Sequence, residues 1–149
     1  MQFPYLSDEH YMAEAISLAR EAAGEGEIPV GAVVVSQGRI IARAKNSTER
    51  LNDVTAHAEI LSITAASEYL GGKYLNNCTL FVTLEPCLMC AGALYWSQIG
   101  RIVFGASDER RGYRRVKEPV LHPKTLVRAG VLEEECREVM LKFFARLRT

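Results

Sequence analysis

The chain has 149 residues, 48% of them hydrophobic and 24% charged, with 18 basic against 18 acidic side chains and a formal net charge of zero. That is the size and balance of one globular domain over 1–149, with apolar residues enough for a core that needs no disulfide or metal scaffold. No run of 18 apolar residues is present to cross a bilayer, and the first eight residues lack the basic start and apolar run of a signal peptide, so the expected setting is the cytoplasm. Disulfides are rare there, which makes Cys78, Cys87, Cys90 and Cys136 metal ligands or buried thiols rather than a covalent framework.

In chain order, Met12, Ala15, Ile16, Ala19, Ala22 and Ala23 recur at helical spacing and predict a helix over 7–23, with Ser7 or Asp8 as its N-cap and Gly24 and Gly26 ending it. The run PVGAVVV at 29–35 is apolar on both alternating faces, the mark of a strand covered on both sides. Ser36-Gln37-Gly38 turns it into a second strand at 39–44. A helix over 56–69 is closed by Gly71-Gly72, and TLFVTL at 79–84 reads as a third strand. The helix at 88–96, LMCAGALYW, has little polar face, which predicts burial in the core or against a partner subunit. RIVFG at 101–105 is a fourth strand, 125–128 a fifth, and 133–147 a final helix with Cys136, Val139, Met140, Phe143 and Leu147 on one face. A hairpin followed by alternating helix and strand predicts an α/β fold, a three-layer α/β/α sandwich with helices on both faces of a mixed five-stranded sheet. The irregular segment 108–124 is too charged for a core and too long for a plain connector, the kind of loop that often carries function.

Two motifs carry chemistry, His57-Ala58-Glu59 and Pro86-Cys87-Leu88-Met89-Cys90, each at the start of a predicted helix. Residues three apart share a helix face, so Cys87 and Cys90 can grip one ion, and the positive end of a helix favours thiolate. With His57 as third ligand the set has the count of a catalytic zinc, which leaves a corner for water, whereas a structural zinc is closed by a fourth side chain. His10, His122, Cys78 and Cys136 are more simply surface or core residues. Glu59 diverges from His57 at a spacing of two, which suits it to act on that water as general acid and base rather than to bind the ion. Two other readings of the cysteines are weaker: a redox pair would need neither the histidine nor the glutamate, and a zinc knuckle stabilises small modules that cannot fold alone, whereas this chain has core enough without metal. Charge adds one more feature: Arg110, Arg111, Arg114, Arg115 and Lys117 crowd one segment, and Lys142, Arg146 and Arg148 gather near the end, either RNA-contacting surface or a solvated face.

The pattern H-x-E…P-C-x-x-C is the signature of zinc nucleobase deaminases. With PVGAV at 29–33, TAHAEI at 55–60, VTLEPCLMCAGA at 82–93, VFGA at 103–106 and Phe143-Phe144, the sequence resembles the tRNA-specific adenosine deaminases of the cytidine/deoxycytidylate deaminase superfamily along nearly its whole length. That resemblance implies one zinc per subunit on His57, Cys87 and Cys90, proton shuttling by Glu59, and contacts to a flipped-out nucleoside from Asn46, Val30 and the backbone N–H of Ala58. It further implies that Asp108, Arg110, Phe144 and Arg148 hold a tRNA anticodon stem-loop, that adenosine becomes inosine at the wobble position, and that the chain is a homodimer. Tyr95-Trp96 is reminiscent instead of the related guanine deaminases, and 121–125 (LHPKT) lacks an Asn-His pair expected before the fifth strand. Deamination of guanine or of a free nucleoside is therefore the second enzymatic reading. A non-catalytic RNA-binding subunit that keeps zinc for structure is the reading from another class.

Overall fold

The computed structural model describes residues 3–148. Helix α1 (Asp8–Gly24) starts where the Ser7 hydroxyl accepts the His10 amide at 3.0 Å, an N-cap that satisfies one of the first-turn donors. Strands β1 (Gly31–Ser36) and β2 (Arg39–Lys45) form the expected hairpin, with Gln37 and Gly38 both at positive φ in the turn, as a two-residue connection demands. Helix α2 (Ala58–Leu70) ends on Gly71, which takes the left-handed conformation that a side chain would strain. Strand β3 (Cys78–Leu84), helix α3 (Leu88–Ser97), strand β4 (Arg101–Ala106), strand β5 (Leu126–Ala129) and helix α4 (Glu133–Leu147) complete the order.

The sheet runs β2-β1-β3-β4-β5, antiparallel between β1 and both neighbours and parallel from β3 through β5. It is the mixed five-stranded sheet that the alternation of elements predicts. Side chains on successive strand residues divide between two cores. On one face Ala32, Val34, Leu80, Val82, Ile102 and Phe104 pack with Ala58 and Ala66 of α2 and Ala91 and Leu94 of α3. On the other, Val33, Val35, Phe81 and Val103 pack with Tyr11, Met12, Ala15 and Ala19 of α1 and Cys136 and Val139 of α4. β1 is buried on both sides because it lies inside this sandwich, which is why its sequence shows no polar alternation.

Helix α3 is buried against the core on one side only, which leaves its other side to the second expectation, a partner subunit. Cys90, Ala91, Leu94 and Ser97 are buried, whereas Leu88, Met89, Tyr95 and Trp96 face solvent, Trp96 at 77% exposure. The segment 108–124 is more ordered than its charge implies: it includes a 3-10 turn at Tyr113–Arg115, and Tyr113 is buried edge-on against Phe104. The start of β1 and the ends of β2, β3 and β4 meet at one end of the sheet. The N-termini of α2 and α3 follow that end, where α/β folds place their ligands.

Candidate active site

The chain reaches α2 through a turn held by Asp53, whose carboxylate accepts the Thr55 amide at 2.8 Å and the Thr55 hydroxyl at 2.7 Å. Its pKa is lowered by these same bonds, the hydroxyl first. This turn delivers His57 to the N-cap of α2, in extended conformation and with no capping bond from its side chain, so the imidazole is available for another task. Cys87 occupies the corresponding N-cap of α3, and Cys90 lies one turn further on.

The three side chains converge. Their ligand atoms all lie within 4.8 Å of one another, with His57 Nδ1 at 3.7 Å from Cys87 Sγ and 3.4 Å from Cys90 Sγ. A tetrahedral zinc with ordinary bond lengths sets nitrogen and sulfur about 3.6 Å apart, so the spacing fits the ion. Among the described residues this is the one cluster of three His, Cys, Asp or Glu side chains close enough to hold a metal. Its protonation also suits the ion. Cys87 is pulled down to about 4, chiefly by the hydrogen bond from Cys90 and then by His57, against the effect of burial. Cys90 keeps its proton on that bond and by burial, and the bond to Cys87 raises His57 against desolvation. A dication bound here competes with protons, displacing those that remain on the thiols and the imidazole. Cys78 and Cys136 are buried thiols outside the cluster, both raised in pKa first by desolvation, Cys136 to about 12.

Glu59 sits in the first turn of α2, 4% exposed, and does not belong to the ligand group. Burial pushes its carboxyl up to about 7, with the Cys87 charge adding to the rise. A carboxyl near neutrality can both take and return a proton. His57, Glu59 and Cys87 line a cavity of about 620 Å³, together with Val30, Asn46, Ala58, Asp108, Arg110 and Phe144. Asn46 donates to the Ile28 carbonyl at 3.0 Å, while its own Oδ1 is buried without a partner. A buried acceptor left open on a cavity wall is a place for a ligand's N–H or O–H. Phe144 is half-buried on the inner side of α4, available for stacking rather than sealed in the core. Arg148 is not brought to the cavity; it is exposed at the C-cap of α4.

Sequence reasoning missed Thr48, Glu85, Arg137 and Met140, which also line the cavity, as does Arg111 of the basic segment. The α4 residues were within reach: Arg137, Met140, Leu141 and Phe144 recur at three- and four-residue spacing, a second face beside the apolar one.

A family model for the cytidine and deoxycytidylate deaminase zinc-binding region matches residues 6–106. The chain belongs to the cytidine and deoxycytidylate deaminase family. The zinc site of the family is therefore the His57, Cys87 and Cys90 cluster, one ion per subunit. The match stops at Ala106, so the family region holds the metal ligands and Glu59, while the wall from Asp108 to Phe144 lies beyond it. More specific deaminase relatives cover that wall as well. The tRNA-specific adenosine deaminase of Bacillus subtilis (strain 168) is 46% identical over 146 residues, spanning 95% of this chain and 91% of the relative. A structure solved in a study of A-to-I editing by tRNA:A34 deaminases superposes with a TM-score of 0.82 at 44% identity, over 87% of this chain and 98% of the other. The guanine deaminase of Bacillus subtilis is a more distant deaminase, with a TM-score of 0.66 and 39% identity over 68% of this chain and 66% of the other.

Proposed function

We propose that this chain hydrolytically deaminates adenosine to inosine at the wobble position of a tRNA anticodon. The observation that carries the reading is one cavity with two parts: a floor of His57, Cys87 and Glu59, backed by Cys90 of the ligand cluster, and a rim of Arg110, Arg111 and Phe144. A small-molecule deaminase needs the floor alone. The rim adds positive charge for phosphates and an aromatic face for a base, which suits a single-stranded RNA loop. Sequence identity supports the choice, since the tRNA deaminases are 44–46% identical over 87–95% of the chain, whereas a guanine deaminase from Nitrosomonas europaea that covers 95% of it is 24% identical.

A zinc ion on His57, Cys87 and Cys90 supplies Lewis acidity that brings the pKa of a water from ~16 to about 7. The chain's own groups do the rest. Val30 and Phe144 bracket the entering base, and the open Oδ1 of Asn46 accepts a donor from the nucleoside. Ala58 offers a first-turn N–H that no intrahelical acceptor uses. Glu59 takes the proton from the attacking water and delivers it to ring N1. Glu59 then takes the second proton from the new C6 hydroxyl and gives it to the leaving amine as the C6–N6 bond breaks, so one water enters and one ammonia departs. Asp108 and Arg110 contact the neighbouring nucleotides, and Arg148, off the cavity, meets RNA further along the loop. An anticodon loop is already unpaired, which keeps the cost of extruding its base below that of opening a duplex.

The reading includes a homodimer joined through the solvent-facing side of α3, where Leu88, Met89 and Trp96 form an apolar patch that a second copy would cover. It includes a cytoplasmic setting, where tRNA is found; among the described residues no helix is long and apolar enough to cross a membrane. The test is turnover of an arginine tRNA anticodon stem-loop beside guanine and cytidine. Inosine in the RNA is expected, and guanine turnover with untouched RNA reverses the choice.

A further inference from the structure

Between β3 and the metal-bearing turn stands a buried acid with no part in the chemistry above. Glu85 follows Leu84, precedes Pro86-Cys87, and has a side chain only 3% exposed. Both of its oxygens are engaged by one segment. Oε1 accepts the Asp108 amide at 3.0 Å and Arg114 Nη2 at 3.0 Å, and Oε2 accepts the Arg114 amide at 3.0 Å. One carboxylate therefore holds the segment at two points six residues apart. Asp108 extends the hold, since its Oδ1 accepts the amides of Arg110 at 3.1 Å and Arg111 at 3.0 Å, the two arginines of the rim.

The backbone closes over this carboxylate because position 112 is glycine. A Cβ there would lie 2.2 Å from Glu85 Oε2 and 2.5 Å from the Asp108 carbonyl oxygen, distances that no side chain tolerates. The Tyr113 amide donates to the Pro86 carbonyl at 3.0 Å, and Gly112 bridges to Cys87, so the segment is stitched to the turn that carries the metal ligand. Arg114 completes the arrangement with a bond to the Ser107 hydroxyl at 2.7 Å and its guanidinium 4.8 Å over the Phe104 ring.

We propose that Glu85 is a positioning residue that fixes residues 107–115 as a wall of the substrate cavity, and through Asp108 aims Arg110 and Arg111 at the RNA. The inference rests on the RNA-deaminating reading above. Charge-assisted bonds to backbone amides are the strong kind, and a segment this polar has little apolar contact beyond Tyr113 to order it otherwise. With both oxygens occupied by protein donors, Glu85 does not touch the reacting atoms; its effect is on binding.

The test compares Glu85→Gln, Gly112→Ala, Arg114→Ala and Arg114→Lys with the unaltered enzyme. Steady-state kinetics on the anticodon stem-loop, zinc content and timed trypsin cleavage within 110–115 are measured. Glu85→Gln sets an NH2 group against an amide donor, and Gly112→Ala pushes the backbone off the carboxylate. Both are expected to raise KM about tenfold with kcat within about threefold, the signature of lost uniform binding, while zinc is retained and trypsin cuts the loop sooner. Arg114→Ala keeps the amide bonds and is expected to raise KM about threefold, with Arg114→Lys restoring part of it. A fall in kcat at unchanged KM, a loss of zinc, or unchanged proteolysis overturns the proposal. If Glu85→Gln does not fold, Gly112→Ala and Arg114→Ala decide in its place. If the unaltered enzyme leaves the stem-loop untouched, the functional reading fails, and trypsin still judges whether Glu85 orders the loop.

Discussion

Glu59 illustrates how burial assigns a role to a side chain. An exposed helix glutamate ionises near pH 4 and makes a poor proton donor at neutrality; at 4% exposure the same group is pushed up to about 7 and can work in both directions. Glu59→Gln keeps the shape and removes the proton acceptor, so kcat on the stem-loop is expected to fall by about 10²–10⁴ with zinc content unchanged, because the ligand set is untouched. Inosine formation at the unaltered rate in the purified variant would remove Glu59 from the chemistry and favour a structural zinc. The ligands and this acid were legible in the sequence because their spacing, read as helix starts, brings them together. Asn46 was not: that its Oδ1 is left without a partner depends on which acceptor its amide nitrogen finds, here the Ile28 carbonyl. Glu27 and Glu85 were equally opaque. Each looks like a polar residue at the end of an element, yet each is buried and accepts two backbone amides of a loop on the cavity wall, Glu49 and Arg50 for one and Asp108 and Arg114 for the other.

Among the elements, those legible in the sequence were the ones whose periodicity matches their burial. The strands that form the middle of the sheet and α4 fall within a residue or two of expectation, since a run of β-branched residues or a 3.6-residue stripe has one good place to go. Helix α3 was half-read because an apolar side exposed to solvent and an apolar side in a core have the same composition. What ties elements together across the sequence was invisible, and Asp8 at the start of α1 is the main case. Its carboxylate accepts Arg101 of β4 at 2.6 and 2.9 Å and Arg128 of β5 at 2.6 Å, joining a helix to two strands more than ninety residues away. Arg101 above all, with Tyr5 and Arg128, holds its carboxyl well below the usual range in spite of burial. A depressed folded pKa means stability that is present above the ordinary aspartate value of about 3.9 and is lost as pH falls toward the folded value. Asp8→Asn is therefore expected to cost about 2 kcal/mol at pH 7 by urea unfolding, discounted for the solvent-exposed side of both arginines. The gap from the unaltered protein narrows between pH 4 and pH 2; a gap independent of pH would mean that the cluster contributes packing rather than charge.

For the whole molecule, a net charge of zero hides a segregation that function requires. The acidic residues of α1 are drawn into ion pairs with the strands, Glu14 with Arg43 and Glu21 with Lys45 of the hairpin and Asp8 and Glu9 with arginines of β4 and β5, on the side of the sheet away from the metal ligands. The loop that follows β4 instead presents Arg110, Arg111 and Arg115 in sequence, with only Glu109 between Asp108 and the first of them. Asp108 accepts the amides of Arg110 and Arg111 on one carboxylate oxygen, which holds both arginines at the mouth. Such a local field acts on phosphates by releasing their counterions, and its strength is read in the salt dependence, not in the overall charge. Single-stranded RNA loses about 0.7 in the logarithm of affinity per decade of salt for each phosphate neutralised. With Arg110 and Arg111 at the rim, the logarithm of KM for the stem-loop is expected to rise with the logarithm of salt at a slope of about 1.4. Arg110→Ala is expected to lower the slope by about 0.7 and leave kcat in place, since the guanidinium meets a phosphate and not the base. A flat salt dependence would mean that the RNA is held by stacking on Phe144 and by the nucleoside contacts in the cavity alone, and the arginine-rich loop would then be a wall without a charge role.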